Sequence, residues 1–171
     1  MRCSVYIGTS LDGFIARPDG SLDFLDVAQV DKVEYGYKAF YASIDTIVIG
    51  RGTYDFVLPF PDWPYAGKRV VVMTHKLEPP RHGEQLVSTT PHELAARLER
   101  EGAKHVYIDG GVVIRQFLDA NLIDDITISV MPVLIGAGIP LFGGPAAKLT
   151  FVGSQSWPTG VVQLRYARAR D

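Results

Sequence analysis

Short apolar, β-branched runs that alternate with segments of helical period constrain this chain more than any other feature. Residues 5–8, 46–49, Arg69–Met73 and 105–108 are such runs. Their length suits strands, and continuous apolar character suits strands covered on both faces. Between them lie amphipathic segments. Across 31–44, Val33, Tyr37, Phe40, Tyr41 and Ile44 recur at close to a helical repeat. Pro91–Arg100 starts with a proline suited to a first helical turn and stops before Gly102. Residues 112–122 form a third helical pattern. Strands alternating with helices call for a mainly parallel sheet with helices on both faces.

The rhythm changes near the end. The run 125–135 and the runs 149–153 and 161–167 read as strands, with no helical pattern from Asp125 onward. Trp157-Pro158-Thr159-Gly160 supplies turn chemistry between the last two. The expected fold is therefore α/β: three layers, α/β/α, around a mostly parallel sheet ending in an antiparallel hairpin. The 171 residues suit one domain, 1–171, with a sizeable core. Leu58-Pro59-Phe60-Pro61-Asp62-Trp63-Pro64 reads as a surface loop or flap, because its prolines break a helix.

Charge excludes some partners. Seventeen Lys and Arg against 19 Asp and Glu leave a net charge of −2. This gives no electrostatic ground for a nucleic acid or an anionic membrane as partner. The single cysteine, Cys3, permits no internal disulfide and sits in an apolar run, so it reads as a buried strand residue. No basic segment precedes a long apolar stretch at the start, and no run approaches the ~20 apolar residues of a membrane helix. A cytoplasmic protein acting on a small molecule is expected.

In open α/β sheets, ligands bind beyond the carboxyl ends of the strands. Four segments follow predicted strands. Gly50-Arg51-Gly52-Thr53 offers close backbone approach, a permanent charge and a helix-capping threonine, or else a tight turn with a solvated arginine. Asp109-Gly110-Gly111, with Val112 opening the next helix, offers a compact N–H cradle or a plain turn. Thr74-His75-Lys76 suits an anionic ribose phosphate or is ordinary surface. Ser10-Leu11-Asp12-Gly13-Phe14-Ile15-Ala16 could close over a flat ring or form a simple connection. Two or three anion-friendly places on one edge suggest a nucleotide with more than one phosphate group, and NADPH fits that count.

These segments, together with Pro132-Val133-Leu134-Ile135-Gly136-Ala137-Gly138-Ile139-Pro140-Leu141-Phe142, occur in an order that resembles the reductase domain of bacterial riboflavin biosynthesis, the RibD C-terminal type. That family belongs to the dihydrofolate-reductase-like superfamily. The resemblance covers nearly the whole chain and implies NADPH as cofactor. It implies that Gly50, Arg51 and Thr53 contact cofactor phosphates, that Thr74, His75 and Lys76 lie near the adenosine ribose and its 2′-phosphate, and that Asp109, Gly110, Gly111 and Val112 hold the pyrophosphate. Leu11, Gly13, Phe14 and Tyr37 would border the nicotinamide and substrate.

Glu34 falls near the acidic residue that binds the pteridine in dihydrofolate reductases, and it also sits four residues before Lys38, as an exposed helix pair would. Glu34 and Asp12 are the candidate catalytic acids, with water as the alternative donor. Phe14, Tyr37, Tyr41 and the segment near Trp63 are candidate flat walls. No His/Cys zinc signature of a nucleobase deaminase occurs, so a stand-alone member is expected. The implied activity is hydride transfer to a C=N or C=O carbon of a pteridine- or pyrimidine-like substrate, as in 5-amino-6-(5-phosphoribosylamino)uracil reductase. Dihydrofolate reduction and NADPH binding without turnover are the alternatives. The resemblance also suggests a homodimer through 135–142 and the last strands.

Overall fold

In the computed structural model, residues 1–30, 33–144 and 146–169 are described. The strands are β1 (Arg2–Thr9), β2 (Phe14–Ala16), β3 (Thr46–Gly50), β4 (Arg69–Met73), β5 (Gln85–Val87), β6 (His105–Asp109), β7 (Asp125–Val130), β8 (Ile139–Pro140), β9 (Leu149–Ser156) and β10 (Val162–Arg168). Eight of them form one sheet in the order β5-β4-β3-β6-β1-β7-β10-β9. The two short strands β2 and β8 pair antiparallel as a separate ribbon. The strands from β5 across to β7 are parallel, and β10 then runs antiparallel to both β7 and β9.

The helices are α1 (Tyr37–Ser43), α2 (Arg51–Val57), α3 (Pro91–Arg100) and α4 (Gly111–Asp119), with a 3₁₀ turn over Asp23–Ala28. Alternate strand residues explain the continuous apolar runs. Val48, Val71, Val106 and Ile108 face one core with Leu94 and Leu98 of α3 and Val113, Ile114 and Phe117 of α4. Ile47, Ile49, Val70, Val72 and Tyr107 face the other, with Tyr54 and Val57 of α2. Each fully buried Val, Leu or Ile side chain contributes about 1.5–3 kcal/mol, so both faces of the sheet hold it together. Cys3 is buried in the first core. Among the described residues, no helix is long and apolar enough to cross a membrane.

Several boundaries differ from expectation. The helix read across 31–44 begins only at Tyr37, because Gly36 adopts φ +90° at its N-cap; Asp31 and Lys32 lie outside the described residues. The strand read over 125–135 stops at Val130, two residues before Pro132, which has no N–H for a ladder. Strand β5 has only three residues, too few to leave a pattern. The 58–64 segment is irregular as expected, but it is packed rather than free. The Trp63 ring meets Tyr54 and Tyr65 edge-on and stacks on His82 at 4.5 Å. Beneath it the buried Glu84 carboxylate accepts from the Tyr54 hydroxyl at 2.5 Å and from the Arg81 and His82 N–H groups at 2.7 Å.

Candidate active site

Parallel pairing brings the carboxyl ends of β1, β3, β4, β5 and β6 to one edge, and a cleft of about 990 Å³ lies across it. That volume is at the upper end of what small-molecule sites occupy. All ten residues expected at the cofactor line it: Gly50, Arg51 and Thr53; Thr74, His75 and Lys76; and Asp109, Gly110, Gly111 and Val112.

The middle of the cleft is made by two strand-to-helix junctions that touch because β3 pairs with β6. Gly110 has φ +89° and ψ +131°, a combination that suits glycine alone. A Cβ there would fall 2.5 Å from Thr53 Oγ1, and a Cβ on Gly50 would fall 3.0 Å from Val113 Cγ2. The glycines are thus needed for packing as well as for approach to a ligand. Thr53 does not cap α2 as expected: the helix starts at Arg51, Gly50 is its N-cap, and Thr53 lies within the first turn facing Gly110.

The two longer helices, α3 and α4, start differently. At α3, Thr90 Oγ1 accepts from Glu93 N–H while Glu93 accepts from Thr90 N–H, a complete capping box. At α4 the N-cap is Gly110, with no side-chain hydrogen bond, and Gly111, Val112 and Val113 of its first turn line the cleft. Free N–H groups and the positive end of a helix dipole are an anion-binding arrangement.

Asp109 ends β6 at the floor of the cleft. Burial pushes its carboxyl up to about 6, against the lowering effect of the Gly110 N–H and the Tyr107 hydroxyl. The Tyr107 hydroxyl also donates to the Tyr6 carbonyl at 2.8 Å. Having one proton, it serves one acceptor fully at a time. The residues expected at the cofactor thus include a carboxyl group that can hold a proton close to neutral pH.

The expected catalytic acids are not brought into the cleft. Asp12 accepts from Gly136 N–H at 2.8 Å and Ile135 N–H at 3.2 Å, fastening its loop to the segment before β8. Its carboxyl is held below the usual range, first by Ser10 and then by these N–H groups despite some desolvation, so it stays ionised. Glu34 accepts from Gly36 N–H at 3.1 Å and Lys38 N–H at 3.4 Å at the start of α1, with Lys38 Nζ at 3.8 Å. The helix terminus takes up this carboxylate. Leu11 and Gly13 sit in the same outward loop as Asp12, with Leu11 62% exposed. Phe14 lies in the β2–β8 ribbon. Tyr37 packs edge-on to Tyr6, behind the residue that does line the cleft. Tyr41 and Trp63 belong to the second core.

Sequence reasoning missed two walls. Ser88 and Thr89 come directly after β5, and the rule that placed the other strand ends applies to them once that strand is known. Ile15 and Ala16, the end of the fourth segment, do line the cleft, but the stretch beyond them from Pro18 through Asp19, Gly20 and Leu22 to Leu25, which closes the β1 side, was not foreseen. Its Pro18-Asp19-Gly20 turn chemistry was a visible signal.

Comparison with known proteins adds to this geometry. The family model described as the RibD C-terminal domain matches residues 4–163. The uncharacterized protein YwjB of Bacillus subtilis (strain 168) is 36% identical, covering 96% of this chain and 97% of that protein. A solved structure from Shewanella sp. PV-4, named for riboflavin biosynthesis, superposes with a TM-score of 0.92 at 37% identity, covering 99% of this chain and all of that one. Dihydrofolate reductase from Enterococcus faecalis, solved with NADP(H), shares the fold with a TM-score of 0.72 at 15% identity, covering 99% and 97%.

Proposed function

The chain belongs to the RibD C-terminal domain family, and from that premise we propose that it is an NADPH-dependent reductase delivering hydride to a C=N or C=O carbon of a heterocyclic substrate. The observation that carries this reading is the uncapped start of α4, open to the same cleft as Arg51, His75 and Lys76. One feature suits a pyrophosphate and the other a separate phosphate on a ribose.

The dinucleotide would supply the hydride when bound. Gly111 and Val112 N–H groups would hold its pyrophosphate. Ser88, Thr89 and Thr74 offer hydroxyls to ribose at the β4–β5 end, although Ser88 Oγ already meets His75 Nδ1 at 3.0 Å. Ile7, Ala16, Leu22 and Leu25 wall the β1 end, where a flat ring would displace water. Asp109, between the two ends, holds a proton up to about pH 6 and would be the group that releases one toward the substrate. A second copy of the chain is the partner this reading adds. Phe151 and Val152 on the edge strand β9 are each 59% exposed, apolar surface that a neighbour would cover.

Thermal melting with dinucleotides, followed by absorbance at 340 nm with candidate substrates, tests the reading. NADPH at about 100 times its Kd contributes about 2.7 kcal/mol, which for a chain this size raises Tm by roughly 5–10 °C. No rise with NADPH sinks the cofactor assignment. A rise without oxidation of NADPH by any pteridine or ribosylaminopyrimidine sinks the reductase assignment and leaves a binding protein.

A further inference from the structure

The cationic end of the cleft already contains an anion. Arg51 Nε donates to both carboxylate oxygens of Asp55, at 2.8 and 2.9 Å, a local pair one turn along α2. Arg51 Nη1 then lies 2.9 Å from Glu78 Oε1. The other oxygen of Glu78 lies 3.4 Å from Lys76 Nζ. Glu78 is thus shared between two cations that come from different connections, one after β3 and one after β4. Two positive charges, Arg51 and Lys76, face two negative ones, Asp55 and Glu78, so these four side chains balance one another. Asp55 differs from Glu78 in holding Arg51 only.

Arg51 and Lys76 line the cleft. A phosphate monoester on a ribose would seek both cations, which Glu78 bridges as ion pairs at 2.9 and 3.4 Å, while Arg51 Nη1 itself makes no hydrogen bond. The carboxylate and the phosphate therefore compete for the same two groups. We infer that Glu78 is a resident anion that competes with the 2′-phosphate of the cofactor for Arg51 and Lys76, and so sets how strongly the protein prefers the phosphorylated dinucleotide to the unphosphorylated one. This role rests on the proposed dinucleotide site and adds to it the residue that tunes specificity. Wild-type protein would prefer NADPH only weakly, because binding the extra phosphate first breaks two ion pairs.

The test is isothermal titration of wild-type protein and Glu78→Gln with NADPH, NADH, 2′,5′-ADP and AMP. The amide keeps the shape of the side chain, and the melting curve without ligand reports whether the fold is kept. Glu78→Gln should tighten NADPH and 2′,5′-ADP on the order of five- to tenfold, while NADH and AMP change less than about twofold. An unchanged NADPH-to-NADH ratio, in a wild type that binds both, overturns the role of Glu78 and leaves the dinucleotide site standing. Weaker NADPH binding in the variant also overturns it, since Glu78 would then be orienting Arg51 for the phosphate. A wild type that binds neither dinucleotide overturns both.

Discussion

At the β4–β5 end of the cleft, Arg51, His75 and Lys76 stand beside the hydroxyls of Ser88 and Thr89; at the β1 end the walls are Ile7, Ala16, Leu22 and Leu25. Among the described residues no lysine or arginine lines the second end. Arg17, close to it in sequence, is turned to Asp23 at 2.5 Å. The difference comes from the chain. The first end is built from connections that leave short parallel strands, where backbone donors and polar side chains gather. The second is built from β1 itself and from the loop and 3₁₀ turn that fold back over it. One end can hold charge, and the other can exclude water from a ring. A cleft for a charged carrier and an uncharged reacting group needs both.

The largest effect is expected where the two ends meet. Gly110→Ala adds a Cβ 2.5 Å from Thr53 Oγ1 at φ +89°. The backbone strain alone costs about 1–3 kcal/mol, and the junction must open to relieve the contact. NADPH affinity should fall by about 100-fold or more, because the N–H groups of α4 shift with it. The double variant with Thr53→Ala removes the hydroxyl but not the strain. If Gly110→Ala alone binds NADPH as wild type does, the glycine serves packing alone and the α4 cradle is not the phosphate site; recovery in the double variant assigns the loss to the Thr53 contact.

A smaller effect concerns Asp109. Its carboxyl is raised from 3.8 to about 6 in the fold. Between these values the folded protein keeps a proton that the unfolded chain has lost. Its contribution to stability is therefore complete below about pH 4 and is lost as pH rises through about 6. Asp109→Asn should show this as a difference: its Tm relative to wild type rises across roughly pH 4 to 6 and levels off above. The wild-type turnover rate should decline above about pH 6, and the variant should lack that limb. A difference in Tm that is flat with pH would show that Asp109 is solvated at the β6 end and removes the proton from the middle of the cleft.

The parts of the molecule that could be read in advance divide along the same line. The continuous apolar runs of β3, β4 and β6 announced a parallel sheet, and the strand-end rule then led to Arg51, Thr74, His75 and Lys76, which line the cleft, but not to Ser88 and Thr89 beside them. Nothing comparable marks the apolar end. Leu22 and Leu25 are ordinary aliphatic residues, and only the turn at Pro18-Asp19-Gly20 brings them over β1. Glu84 was invisible for a similar reason: it is buried only because the 58–68 and 77–84 segments fold over one another. Glu34 was chosen for its place in the resemblance and Asp12 as a carboxylate in the loop after β1, but local backbone N–H groups claimed both. Side-chain competition of this kind depends on where a helix starts, and Gly36 starts α1 later than its periodicity suggests.

The smallest expected effect tests that competition at Glu34. Glu34→Ala removes the acceptor for Gly36 and Lys38 N–H at the start of α1. Loss of such a terminal interaction costs about 0.5–1 kcal/mol, seen as a drop in Tm of a few degrees at most. With the carboxylate outside the cleft lining, kcat/KM for the best substrate should stay within about twofold of wild type, since only interactions made at the reacting group change the barrier. A loss of about tenfold or more, with NADPH affinity unchanged, would mean that Glu34 leaves the helix terminus and reaches the substrate. The β1 end would then hold a second carboxylate beside Asp19, in a site of the pteridine-binding kind, and the contrast between an end that gathers cations and one walled mainly by apolar side chains would fail at that end alone.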